Sequence, residues 1–125
     1  MPHVNLCFGW IWIAVGLSSG AFIGLFFYDR DWLGGYASWR RRMLRLGHIS
    51  FIGTGLLNLA YALTLGELTA TDSLPLASWM FVLGGITMPL VCFLAAWKDA
   101  LRRLFVVPVA SLIVASVELC VRGLL

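Results

Sequence analysis

In the segment RRRMLRLGHISFIGTGLLNLAYAL, residues 40–63, a cluster of arginines runs directly into a long apolar stretch. A helix needs about 20 apolar residues to cross about 30 Å of hydrocarbon. A basic cluster beside such a stretch is typical of a membrane anchor, which disfavours nucleic acid as its partner. The segment therefore predicts a transmembrane helix, with anionic lipid headgroups at Arg40, Arg41, Arg42 and Arg45.

The composition extends this interpretation to the whole chain of 125 residues. Hydrophobic residues make up 61% and charged residues 12%, whereas soluble domains carry roughly 25% charge. A β-barrel would show alternating polarity, but the apolar runs are continuous. The sequence predicts an all-α integral membrane protein, a bundle of four transmembrane helices in a single domain over residues 1–125. The predicted helices cover residues 6–28, 46–65, 76–97 and 104–121.

The charges of the connections predict the orientation. Cytoplasmic connections collect Lys and Arg, and here the first connection (29–45) and the third, KDALRR (98–103), are basic. The second connection, GELTATDSLP (66–75), has neither Lys nor Arg. We therefore expect both termini on the outer side of a bacterial-type inner membrane. The first span lacks the basic start and the cleavage site of a signal peptide and is expected to be retained.

Small and polar residues recur at helical spacing in the first two spans. Gly16, Gly20 and Gly24 form a small-residue stripe that predicts close helix packing. Ser50, Thr54 and Asn58 form a polar stripe whose default role is hydrogen bonding to a neighbouring helix. The alternative is a polar path at Thr54 and Asn58, as a small transporter or channel would require.

His48 lies near the basic start of the second predicted helix. One interpretation is an interfacial histidine with its polar tip in water, another is a haem or metal ligand, and a third is a residue that contacts a proton path or a quinone. The other histidine, His3, is expected on the opposite side of the membrane, so one chain cannot supply two histidines to a haem. Met88 is the candidate second ligand, and otherwise we expect a haem only if a partner subunit shares it. Copper(I) is a further alternative, because Met80, Met88 and Cys92 lie with Gly84 in a row of every fourth residue.

Glu118 is the acidic residue within a predicted span, and acids in membranes are functional candidates. Arg122 follows at four residues, so the two are predicted to form an ion pair, with a proton carrier as the alternative. Cys7 and Cys120 are both expected near the outer face, where either free thiols or a disulfide is open.

The sequence contains no complete set of catalytic residues, no phosphate-binding loop and no full set of metal ligands. We therefore expect a non-catalytic or assembly subunit of a larger membrane complex, with an electron-transfer complex as one candidate. A small transporter or channel and a haem- or copper-binding membrane protein are the alternatives.

Overall fold

The computed structural model describes residues 2–68 and 74–125, and this part of the chain contains helices and no strands. Helix α1 covers Pro2–Gly24, α2 Trp39–Glu67 and α3 Pro75–Trp97. Helix α4 begins with 3-10 turns over Asp99–Phe105, continues as an α-helix over Val106–Glu118 and ends in a π-helical turn over Leu119–Leu124. All four are long and apolar enough to cross a membrane. The prediction of an all-α chain with four candidate membrane spans is confirmed.

Several helix boundaries differ from the prediction. Helix α1 begins at Pro2 rather than at residue 6, which brings Asn5 into the helix, and it ends at Gly24 rather than at residue 28. Helix α2 begins at Trp39 rather than at residue 46, so the arginine cluster is helical and not part of the connection. The start is capped by Ser38, whose hydroxyl accepts a hydrogen bond from the Arg41 backbone amide at 3.3 Å. Of the second connection, residues 69–73 lie outside the described residues.

Helices α2 and α3 form the centre of the fold. Helix α1 packs mainly on α2 and α4 mainly on α3, so that α1 and α4 lie at the two edges. A core cluster joins the helices near the end of α2 and consists of Tyr61, Leu74, Ala77, Phe81 and Ala115. The four helices therefore form an open arrangement, in which the edge helices α1 and α4 expose most of their apolar side chains.

Helices α1 and α2 meet backbone to backbone at a pair of glycines. A Cβ added to Gly9 would lie 2.8 Å from the Gly55 carbonyl oxygen, and one added to Gly55 would lie 2.9 Å from the Gly9 carbonyl oxygen. Side chains at either position would push the helices apart. Close approach of this kind gives van der Waals contact that lipid chains cannot match, and it fixes where the two helices cross.

Candidate functional site

Three buried polar side chains meet where α1, α2 and α3 converge. Asn5 of α1 donates from Nδ2 to the Asn58 side-chain oxygen at 2.8 Å and to the Ser78 carbonyl at 3.1 Å. The Ser78 hydroxyl donates in return to the Asn5 side-chain oxygen. Asn5 and Asn58 are completely buried, and Ser78 is nearly so. This cluster ties three helices together through groups that could find no partner in lipid.

The remaining hydrogen bonds of Asn58 also stay within the chain. Its Nδ2 donates to the Thr54 carbonyl at 2.9 Å and to the Phe81 carbonyl at 3.1 Å. The Thr54 hydroxyl donates to the Ser50 carbonyl at 2.6 Å, and the Ser50 hydroxyl to the Gly47 carbonyl at 2.7 Å. Every donor of the predicted polar stripe is thus engaged internally. The arrangement favours helix packing over a polar path for a solute.

His48 contacts α1 at one glycine of the predicted small-residue stripe. The imidazole lies directly over Gly20, so that a Cβ added there would be 2.7 Å from Nε2. His48 Nδ1 is 3.4 Å from the Ser19 hydroxyl oxygen, and this hydroxyl donates to the Gly16 carbonyl at 2.9 Å. His48 is therefore a partly buried residue of the α1–α2 contact and not a side chain that only projects from the protein.

The other two glycines of the stripe have different surroundings. Gly16 lies against Ile52, since an added Cβ would be 2.6 Å from its side chain, whereas nothing lies within 4 Å of a Cβ at Gly24. The reason is helical geometry: at about 100° per residue, a row of every fourth residue drifts about 40° per step. Gly24 has rotated away from α2, although the sequence predicted it on the contact face. The residues of α1 that do face α2 are Asn5, Gly9, Gly16 and Gly20, which are separated by four, seven and four residues.

Met88, the candidate second ligand, lies on α3 and is partly buried. Gly84, one turn before it, faces Leu112 of α4, because a Cβ added there would be 2.6 Å from the Leu112 Cγ. His48 faces α1. The face of α3 one turn before Met88 and the face of α2 at His48 thus pack against different neighbours.

The cysteines and acids likewise form no recognisable metal centre. Among residues 2–68 and 74–125, no three His, Cys, Asp or Glu side chains are placed to hold a metal ion. Cys92 is buried near Gly47 of α2, and Cys7 and Cys120 are exposed free thiols. The candidate Cu(I) row of Met80, Met88 and Cys92 is also divided, since Met80 packs on the core cluster at Tyr61.

Arg41 does not lie with the other arginines of its cluster. It is 2% exposed, and its guanidinium donates to the carbonyls of Phe27, Asp29 and Arg30 at 3.1–3.2 Å. The Phe27 ring lies 4.7 Å from the guanidinium carbon. Arg41 therefore binds the backbone that follows α1, and it is not available to lipid headgroups as the sequence predicted. Arg40 and Arg42 are exposed, and Arg45 lies 4.0 Å above the Tyr36 ring.

Glu118 and Arg122 form an ion pair at the end of α4. Arg122 Nη1 donates to Glu118 Oε1 at 2.8 Å, where the arginine side chain is 56% exposed and the glutamate 7%. The pair borders a shallow groove of about 360 Å³ on the outer surface of α4, lined otherwise by Ile113, Val114, Val117 and Val121. This groove faces away from the bundle. All of its lining residues belong to α4.

Sequence reasoning missed Asn5, Gly9, Gly55 and Ser78. Asn5 was overlooked because it precedes the apolar run that defined the first predicted span, although it lies one turn before Gly9. Gly55 was overlooked because no second glycine follows it at four-residue spacing. A search for seven-residue spacing on α1 would have found the face that contacts α2.

The chain matches no protein-family model, no curated protein and no solved structure. The side-chain arrangement alone therefore carries the functional inference.

Proposed function

We propose that the chain is a non-catalytic subunit of a larger membrane complex, to which it contributes helix surface. The observation that carries the proposal is the engagement of most of its buried polar groups within the chain, the exceptions among the described residues being Arg41 Nε and Glu118 Oε2. Asn5, Asn58 and Ser78 bond to one another, and Arg41 bonds to the backbone beyond α1. Side chains engaged in this way stabilise a rigid α1–α2–α3 unit and leave α4 at its edge.

The groove on α4 is the surface we assign to the partner. Helices associate in membranes through close packing and hydrogen bonds, so a groove between short, branched side chains favours a ridge on a neighbouring helix. Val117 lies within the groove and is 55% exposed, and Arg122 at its end leaves part of its charge accessible. The proposed partner is a transmembrane helix of another chain, with an acceptor near Arg122.

The proposal includes an orientation and a location. Eight of the nine Lys and Arg residues lie at one end of the bundle, which supports a cytoplasmic position for that end of the molecule in a bacterial-type inner membrane. Both termini then lie outside. An electron-transfer complex is the finer proposal, supported by residue types alone: His48 is partly exposed, and the chain contains four methionines and six tryptophans. Any haem at His48 would take its second axial ligand from another subunit of the complex, at a surface other than the groove on α4.

The experiment combines purification with crosslinking. The tagged full-length chain is extracted from its own membranes in a mild detergent, and native mass spectrometry and visible absorbance are recorded. A photoreactive amino acid replaces Val117, and in a control it replaces Leu57, which is exposed on α2 outside the described clefts. We expect one discrete heterologous protein crosslinked from position 117 and not from position 57. A monomeric chain that crosslinks only lipid would contradict the proposal, and solute uptake by vesicles containing the pure chain would favour a transporter instead.

A further inference from the structure

Three neighbouring clefts lie in a row along the surface between α2 and α3. The first, of about 510 Å³, lies at the basic end and is lined by Leu33, Trp39, Arg40 and Trp97 among others. The second, of about 280 Å³, shares Leu33, Arg40 and Trp97 with it and extends to Phe93. The third, of about 250 Å³, begins at Phe93 and reaches Ile86. Neighbouring clefts share lining residues, the second and third meeting at Phe93, and we call this row of clefts the α2–α3 groove.

The length of the α2–α3 groove matches one leaflet of a bilayer. On α3 it runs from Trp97 to Ile86, and on α2 from Arg40 to Phe51. Each distance is eleven helical rises, or about 16 Å at about 1.5 Å per residue. Half of the hydrocarbon core of a bilayer is about 15 Å thick. A groove of this length accommodates an acyl chain that starts at the headgroup level and ends near the bilayer centre.

The chemistry of the α2–α3 groove changes along this length. Its deep part is lined by Phe51, Ile86, Pro89, Leu90, Phe93 and Trp12. Its basic end carries Arg40, which is exposed and has no hydrogen bond, ion pair or aromatic ring as a partner among the described residues. The acid at that end, Asp99, lies 3.6 Å from the guanidinium of Arg102. An unpaired cation therefore stands at the mouth of an apolar groove.

The backbone at the mouth is held in an unusual conformation. Leu33 has φ 54° and ψ 33°, a left-handed conformation that costs a non-glycine residue roughly 1–2 kcal/mol. The Ser38 hydroxyl donates to the Leu33 carbonyl at 2.7 Å and holds this turn in place. Strained backbone that the surrounding structure maintains is a feature of binding sites. In this conformation, Leu33 lines both of the first two clefts.

From the length, the charge and the strained mouth we infer that the α2–α3 groove binds one phospholipid with an anionic headgroup. Its phosphate lies at Arg40, and one acyl chain lies along Phe93 toward Pro89. This inference is independent of the proposed subunit role, because the α2–α3 groove and the groove on α4 lie on different helices. It differs from general attraction between a basic surface and a membrane, because Arg42, which is also exposed, does not line the groove.

The first test measures headgroup selectivity. The purified full-length chain in detergent is titrated with phosphatidylglycerol or with phosphatidylcholine carrying the same acyl chains, and native mass spectrometry counts the retained lipid. We expect one phosphatidylglycerol to be retained, with Arg40→Gln lowering its affinity about fivefold and Arg42→Gln leaving it unchanged. The fivefold figure corresponds to about 1 kcal/mol for one basic residue near an anionic surface. Equal retention of the two lipids, or equal effects of the two substitutions, would overturn the inference.

The second test locates the acyl chain. The chain is reconstituted in vesicles of phosphatidylcholine with one quarter phosphatidylglycerol and a trace of phosphatidylglycerol bearing a photoreactive group near one chain end. Crosslinks are expected on residues 86–93, and Ala96→Phe should reduce them severalfold by filling the groove at a residue shared by the first two clefts. Ala60→Phe, on an exposed position of α2, is the matched control. Crosslinks spread evenly over α1 and α4, or unaffected by Ala96→Phe, would show annular lipid only. If a second protein chain blocked lipid crosslinking in the α2–α3 groove, the groove would instead be a binding site for a helix of that chain.

Discussion

The Trp12 indole donates a hydrogen bond of 2.7 Å to the Gly85 carbonyl, the one group of α3 that Pro89 leaves without its helical donor. A helical carbonyl normally accepts from the amide four residues later, and proline has no such amide. The interruption in α3 is therefore compensated from α1. This contact also adds to the small area that α1 shares with α3.

Trp12→Phe should destabilise the protein by about 1–2 kcal/mol, because the Gly85 carbonyl would be buried without a donor. Reversible unfolding in mixed micelles with increasing denaturing detergent measures the change. In a Pro89→Ala background the restored amide satisfies Gly85, so the loss from Trp12→Phe should shrink markedly. Trp10→Phe, at a position 62% exposed, is the control and should be nearly neutral. An equal loss in both backgrounds would refute this role for the indole.

Asn5→Ala and Asn58→Ala should each destabilise the protein by about 1 kcal/mol or more, since each leaves buried partners without hydrogen bonds. The double variant should cost clearly less than the sum, because the two amides bond to each other. Thr87→Val is the control, since Thr87 is only partly buried and its hydroxyl bonds to a carbonyl one turn back in its own helix. Strict additivity of the two asparagine substitutions would show that they act separately.

Arg41→Lys should destabilise the connection after α1 by about 2 kcal/mol. A lysine carries one compact ammonium and cannot reproduce the fork that reaches three carbonyls. Limited proteolysis by chymotrypsin, which cleaves after aromatic residues such as Trp32 and Tyr36, reports on this segment. Arg42→Lys should leave the cleavage rate unchanged, because Arg42 is exposed. Identical cleavage of the two variants would contradict the role of Arg41.

Gly20→Ala should destabilise the α1–α2 contact, because its methyl group would overlap the His48 ring. His48→Ala removes the obstacle and should largely rescue Gly20→Ala in the double variant. Gly24→Ala has open space around it and is expected to be neutral or slightly stabilising, since alanine favours a helix over glycine. Denaturing-detergent titration of the four variants decides the matter. If His48→Ala gave no rescue, the clash would lie elsewhere.

Both termini should be outside the cytoplasm. Fusions of the C-terminus to an enzyme that is active only outside should be active, and fusions to a fluorescent protein that folds only inside should be dark. A fusion within the connection between Phe27 and Ser38 should give the opposite pattern. A fluorescent C-terminal fusion would reverse the orientation and place Arg40 and Arg41 outside.

The number of helices, their type and the basic end of the molecule could be predicted from the sequence. Hydropathy and charge along the chain can be evaluated without knowing which residues contact each other. For Asn58, the sequence predicted hydrogen bonds to a neighbouring helix but not the residues that form them. A buried amide requires a hydrogen-bond partner, but nothing in the sequence indicated that Asn5 and Ser78 would supply it.

The contacts between particular side chains depend on the tertiary structure. A rotation of about 100° per residue means that a small error in helix phase moves a side chain to another neighbour. Gly20 therefore meets His48 while Gly24 meets nothing, and Arg41 is buried while Arg40 and Arg42 are exposed. From the sequence alone, neighbouring residues of the same type cannot be assigned different environments. The crossing of α1 over α2 at Gly9 and Gly55 makes them different, because it fixes the rotation and depth at which each side chain faces its neighbour.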